Sequence, residues 1–312
     1  MGYIAWLDWC KVFAIYLVIL GHFPVSRDFT TEWVYSFHIP LFFIISGMLS
    51  NKKCISLKTF LSKMFTSLLL PYYMLSMCAI PVDYAINGGG IIVYIFHLLC
   101  GMPIGIAGPM WFVYSLFFIK VIDFTVTMTE NNIVKISVYI FLCMFGIGFS
   151  VGVFPFMRPV SFVFVAFPFY IMGKYIVNRI ISYWKLSSSS RLISILGVIV
   201  IPIIGVYSNK YVDLFYGIFG SSGILYFVFG FLESISILYF FYNFFNYESN
   251  YVKDLARGSI LVVSFHMLLL LPANYIEDVF PVRYIYAFVV LLFFLYPIRI
   301  LMKHAKFLLG NR

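Results

Sequence analysis

Three ionisable side chains, Asp8, Lys11 and His22, fall in the first long apolar run of the sequence. On a helix, Lys11 and His22 are eleven residues apart, about 20° apart around the axis and about 16 Å apart along it. One helix face then carries a cation toward one end and an imidazole toward the other. Asp8 lies one turn before Lys11, the spacing of a helical ion pair. A second histidine, His38, opens the next apolar run, Ser36-Phe37-His38-Ile39-Pro40-Leu41-Phe42-Phe43-Ile44-Ile45-Ser46-Gly47. If both runs cross a bilayer, the two imidazoles enter it from the same side. A histidine pair at one boundary can handle protons, because imidazole titrates near neutral pH. The same residues also admit a structural reading, an ion pair plus interfacial histidines. Ser46 and Gly47 read as packing positions that permit close helix approach, and Pro40 suits a first helical turn.

Other residues are candidates by position. Glu233 lies mid-run in Phe231-Leu232-Glu233-Ser234-Ile235, and a carboxylate at membrane depth is a functional candidate or pairs with a cation such as Lys120. Arg158, in Phe156-Met157-Arg158-Pro159, can bind an anion or mark an ordinary loop. Trp111 and Tyr114 offer rings for stacking on a ligand or for an interfacial aromatic belt. His266, alone in a late span, reads as a packed core histidine, and His97 is given no role. Cys10, Cys54, Cys78, Cys100 and Cys143 show no paired spacing, so neither a disulfide framework nor a metal site is expected.

These residues must be positioned by membrane helices. Of 312 residues, 63% are hydrophobic and 11% charged, whereas a soluble domain carries about 25% charged residues. The apolar runs near 20 residues long predict ten spans, at about 4–23, 33–50, 60–82, 109–129, 133–153, 161–181, 192–207, 222–246, 258–275 and 284–303. The segment 91–101 is too short to span and is expected to lie in the interface or re-enter. The fold class expected is all-α, a polytopic integral membrane helix bundle forming a single domain over 1–312. The net charge of +9 suggests Lys/Arg-rich cytoplasmic loops rather than nucleic-acid binding. With the N-terminus inside, fifteen basic residues, among them Lys52, Lys53, Lys174, Arg179 and Arg312, fall on the inner side. Four fall outside: Arg27, Arg158, Lys210 and Arg283. Both termini are therefore expected in the cytoplasm. The polar stretch from Lys185 to Arg191, with its four serines, reads as an inner loop. The N-terminus, lacking a basic leader and carrying charges in its apolar run, does not read as a cleavable signal. No internal repeat supports a duplicated transporter.

Several stretches resemble the acyltransferase-3 family of membrane O-acyltransferases. Leu7-Asp8-Trp9-Cys10-Lys11, with His22 eleven residues after Lys11, resembles its basic-x10-His signature. Phe37-His38-Ile39-Pro40-Leu41-Phe42-Phe43 with Ser46-Gly47 resembles its second-span motif, especially in the sugar O-acetylase branch. Gly108-Pro109-Met110-Trp111-Phe112, Phe169-Tyr170-Ile171-Met172-Gly173, and Gly258-Ser259-Ile260-Leu261 followed by His266 resemble later motifs. Lys11 stands where many members have arginine, which keeps the charge but loses the bidentate fork. The resemblance implies transfer of an acyl group, usually acetyl from acetyl-CoA, to a hydroxyl of a surface or lipid-linked glycan. His22 is then the general base with His38 assisting, and Lys11 with Asp8 serves the donor. Trp111, Arg158 and Glu233 are the acceptor-side candidates. The implied partners are an acyl-CoA co-substrate, a glycan and the bilayer of the inner (plasma) membrane, with no resident cofactor, no metal, no nucleic acid and an open oligomeric state. The competing expectation is a polysaccharide exporter or flippase without acyl transfer.

Overall fold

Inside a bilayer every backbone N–H and C=O needs an internal partner, and the helix supplies one for each. The chain answers that demand along its length: the structure, a computed structural model, is 82% helical. It describes residues 4–24, 27–50, 56–155, 157–186, 190–275 and 281–310. Lys52, Lys53, Cys54, Phe156, residues 187–189 and Arg312 lie outside the described residues.

Each of the ten expected spans is a helix. The first two are α1 (Ala5–Gly21) and α2 (Phe29–Met48). The third runs through α3 (Leu57–Met64), a π-helical turn (Phe65–Leu69) and α4 (Leu70–Asn87). The segment 91–101 forms a helix of its own, α5 (Ile91–Cys100), which Gly101 ends at φ 71°. A 3-10 turn (Gly105–Met110) then leads into α6 (Trp111–Met128), followed by α7 (Asn132–Ser150). The sixth span joins α8 (Val160–Ile171), a second π-helical turn (Met172–Val177) and α9 (Asn178–Leu186). Next come α10 (Arg191–Asn209), a two-stranded hairpin of β1 (Val212–Asp213) and β2 (Ile218–Phe219), and α11 (Gly223–Phe244). The short α12 (Asn250–Arg257) bends by 81° into α13 (Ser259–Leu270), and α14 (Val282–Phe293) and α15 (Leu295–His304) make the last span.

Seven of these helices are long and apolar enough to cross a membrane by themselves, and the bent α12–α13 pair makes an eighth. The remaining two of the ten are α1, which is 17 residues long, and α2, whose apolar character is broken by Glu32 and His38. Polar caps close several helix starts: Asp28 Oδ1 accepts from Thr31 N at 2.9 Å, and Ser190, Ser222 and Asn131 cap α10, α11 and α7. Outer faces are apolar, with Ile133 76% and Phe141 65% exposed. In water such faces would be unstable, and in hydrocarbon they are at home. The chain is a helical, multi-pass membrane protein.

The described residues fall into two compact units. The first holds 1–14, 27–53 and 122–248, and the second holds 15–26, 54–121 and 249–312. In the first unit, α2 crosses α8 and the π turn after it at a pair of glycines. A Cβ added at Gly47 would lie 2.0 Å from the Tyr170 carbonyl oxygen, and one at Gly173 would lie 2.1 Å from that of Ile44. Backbone meets backbone there, which accounts for the small residues in both motifs. Gly47→Ala should therefore cost about 1–3 kcal/mol by overpacking. Thermal unfolding in detergent measures it, with Gly108→Ala as control. A Cβ at Gly108 meets nothing nearer than Met267 Sδ at 3.7 Å, so an equal loss in the two variants would refute the tight crossing.

In the second unit, the buried Asp83 accepts from Tyr94 Oη at 2.9 Å and Asn87 Nδ2 at 2.8 Å, tying α5 to the end of α4. The 3-10 turn before α6 packs against both α4 and α13.

Candidate active site

His22 follows α1 directly, its backbone N–H bonding the Val18 carbonyl at 3.2 Å. Its side chain lies in the second unit, together with the later half of α1. Tyr16 Oη donates to the Tyr284 carbonyl at 3.3 Å, and the Phe23 ring meets that of Tyr286 at 5.7 Å, so α14 anchors this end of the helix. One neighbour of His22 is another imidazole. The rings of His22 and His266 are 5.3 Å apart between centroids, at 45°. His266 sits on α13 and is completely buried. Its Nδ1 lies 2.9 Å from the Val262 carbonyl oxygen. A carbonyl only accepts, so Nδ1 carries the proton of that bond and Nε2 of the neutral ring presents a lone pair. Nε2 has no hydrogen-bond partner.

Two of the weaker motifs meet beside this pair. Ser264 Oγ donates to the Ile260 carbonyl at 2.7 Å and lies 3.0 Å from Met110 Sδ. Met110 belongs to the Gly108–Phe112 stretch, and Ser264 and His266 belong to the late Ser-rich span. Met110 and Ser264 are 154 residues apart in sequence, yet they touch. His266 is thus the packed, hydrogen-bonded core residue expected, and it also lies with its ring against that of His22. The motif Gly258-Ser259-Ile260-Leu261…His266 was the available signal.

The first unit holds the other candidates. Lys11 Nζ and Asp8 Oδ1 are 3.1 Å apart, the expected i,i+3 ion pair, with both side chains part-exposed. The early half of α1 is held against α11 by aromatic rings, Trp6 on Tyr242 at 5.8 Å and Phe13 on Phe241 at 5.3 Å. Trp9 Nε1 adds a hydrogen bond to the Tyr247 carbonyl at 3.0 Å. His38 is buried in α2, with Nδ1 2.6 Å from the Val34 carbonyl, to which it donates. Glu233 is fully buried on α11. Its Oε2 lies 2.6 Å from Ser36 Oγ, which is also 2.6 Å from the Trp33 carbonyl, and its Oε1 has no hydrogen-bond partner. The partner of Glu233 is thus a hydroxyl on α2 rather than a cation. The Arg158 guanidinium stacks over the Phe215 ring at 4.3 Å, tying the start of α8 to the β1–β2 turn. Trp111, in the second unit, is buried at the start of α6, and Tyr114 Oη donates to the Leu99 carbonyl at 3.0 Å. Among the described residues no group of three His, Cys, Asp or Glu side chains could hold a metal ion.

Sequence reading missed one buried charge network. Asp123, inside α6, accepts from Lys174 Nζ at 2.6 and 2.7 Å, from Tyr139 Oη at 2.7 Å and from Tyr170 Oη at 3.1 Å. The signal was an acid within an apolar run, the same signal that singled out Glu233. Beside Lys174 a hollow of about 320 Å³ is lined by Ser50, Lys174, Tyr175, Asn178, Arg179 and Ser182.

The family model described as an acyltransferase domain, acyltransferase 3, matches residues 4–304. No curated protein and no solved structure gives a match.

Proposed function

The chain belongs to the acyltransferase-3 family, and on that premise we propose that this membrane acyltransferase moves acetyl from acetyl-CoA to a hydroxyl of a surface or lipid-linked glycan. The match over 4–304 carries the reading, since it takes in Lys11, His22, His38 and His266 in one stretch of family resemblance. The chemistry asks little else of the protein. A sugar hydroxyl is a weak nucleophile and needs a base to take its proton as it attacks. His22 is that base: the hydroxyl proton passes to an imidazole nitrogen while the oxygen bonds to the thioester carbonyl carbon. Collapse breaks the C–S bond, and the leaving thiolate recovers the proton from His22. The products are an O-acetyl ester and free CoA, and no oxidant or metal is consumed.

The remaining candidates take supporting roles. Lys11, with Asp8 beside it, attracts the anionic donor, and His38 assists proton handling. Trp111, Arg158 and Glu233 serve the acceptor. The protein lies in the inner (plasma) membrane with both termini cytoplasmic, an orientation supported by the fifteen-to-four distribution of basic residues.

The test is the mass of the surface glycan in cells with and without the protein, followed by transfer from labelled acetyl-CoA in membranes. An acetyl increment that depends on the protein supports the proposal. A glycan retained inside the cell with its acetylation unchanged overturns it in favour of export. In the same assay Lys11→Ala should raise the KM for the donor roughly tenfold, the scale of one lost charge-assisted hydrogen bond. Lys11→Arg, which keeps the charge, should stay within a few-fold of the unmutated protein. Equal KM values for all three would remove Lys11 from donor binding.

A further inference from the structure

A base in a hydrophobic site needs more than a lone pair aimed at its substrate. Imidazole has two nitrogens, and whichever one carries the proton decides which is free to act. Enzymes settle the question with an acceptor on the far nitrogen, which fixes the tautomer and holds the ring at one angle. The surroundings of His22 contain such an acceptor. His266 is completely buried, its Nδ1–H is committed to the Val262 carbonyl at 2.9 Å, and its Nε2 has no hydrogen-bond partner. A buried polar atom left without a partner is costly and asks for an explanation. The ring centroids of His22 and His266 are 5.3 Å apart. An N–H···N bond of about 3 Å between two imidazoles places their ring centres roughly 5 Å apart. The centroid spacing is that of a hydrogen-bonded imidazole pair, and the bond itself is not closed in this structure.

We infer that His266 is the positioning residue of the transfer reaction: its Nε2 accepts the far N–H of His22 and so frees the other nitrogen of His22 for the acceptor hydroxyl. This rests on His22 being the base. The order of hydrogen bonds is hydroxyl to His22, His22 to His266, and His266 to the Val262 carbonyl. When His22 takes the hydroxyl proton, the bond to His266 becomes charge-assisted and strengthens. Its stabilisation is thus greater in the transition state than in the ground state, which raises kcat without changing KM. The α13 backbone is the final acceptor, and Ser264, two residues before His266, packs on Met110 and helps hold the helix in place. His266 itself touches neither donor nor acceptor.

Two substitutions separate positioning from packing. Asparagine can keep the N–H to the Val262 carbonyl while removing the Nε2 acceptor. Glutamine can place a carbonyl oxygen near the Nε2 position. His266→Asn should lower kcat by about 10²-fold or more with the KM values for donor and acceptor unchanged and the thermal midpoint in detergent within a few degrees. His266→Gln should recover at least tenfold of that loss. Unmutated kcat in His266→Asn would overturn the inference. So would an equal loss in both variants, or a loss accompanied by a large fall in midpoint, because each indicates a packing role. The His22→Ala variant assayed in parallel keeps the two claims apart. If His22→Ala is fully active, the base assignment fails and the inference fails with it. If His22→Ala is inactive while His266→Asn is active, the base assignment survives and only the positioning role is lost.

Discussion

His22→Ala should lower acyl transfer by about 10²–10⁴-fold, the range a general base contributes, while insertion and folding persist. The loss is expected in kcat, since the base acts on the hydroxyl only as the C–O bond forms. Folding should survive because the contacts that anchor this end of α1, Tyr16 to Tyr284 and Phe23 to Tyr286, do not involve the imidazole. Acetylation of the glycan at matched membrane levels is the measurement, with thermal unfolding in detergent as the folding control. Transfer at the unmutated rate would remove His22 from the mechanism. Aggregation of the variant would point to a packing role instead.

The second large effect concerns stability. Asp123→Ala should destabilise the protein by about 3–5 kcal/mol, because it strands the Lys174 ammonium in a buried site. Both side chains of the pair are only 7% exposed, and Tyr139 and Tyr170 lose their shared acceptor at the same time. Asp123→Leu and Lys174→Met, alone and together, form a cycle. Lys174→Met alone should also be costly, leaving an unpaired carboxylate. Asp123→Leu with Lys174→Met should recover most of the loss, since well-packed apolar residues often replace a buried pair at little cost. Midpoints in detergent measure all of these. If the double is as unstable as the worse single, the network stabilises through its tyrosines rather than its charges.

The architecture was legible because a bilayer imposes one solution on an apolar run of 20 residues, and each of the ten runs is a helix. The Asp8–Lys11 pair was legible for a related reason, being local to one helical turn. What the sequence could not rank were contacts between helices. Nothing in the spacing of His266 places it beside His22, and nothing in Gly108-Pro109-Met110-Trp111-Phe112 announces Ser264 as its neighbour. Glu233 was singled out with a cation such as Lys120 as its expected structural partner, and Ser36 is the partner found. Asp123 was overlooked although it lies in the same kind of setting, and only the fold reveals that Lys174 comes to meet it. The segment 91–101, expected to be too short to span, is the 10-residue helix α5. Its termination, with Gly101 in a left-handed conformation, is what separates it from α6.

The π-helical turn at Met172–Val177 makes the place of a one-residue deletion a determinant of side-chain facing. Such a turn holds one residue more than an α-helical turn closing the same bond. Excising a single residue there would let the helix close in ordinary α geometry and leave the faces of α9 nearly where they are. The same excision in α8, which has no residue to spare, would swing everything on its C-terminal side by about 100° around the axis. Asn178, whose amide donates to the Met48 carbonyl, would then lose that acceptor. Lys174 would turn away from Asp123. A one-residue deletion in α8 is thus equivalent to several substitutions made at once, whereas the wide turn tolerates a change of length by one.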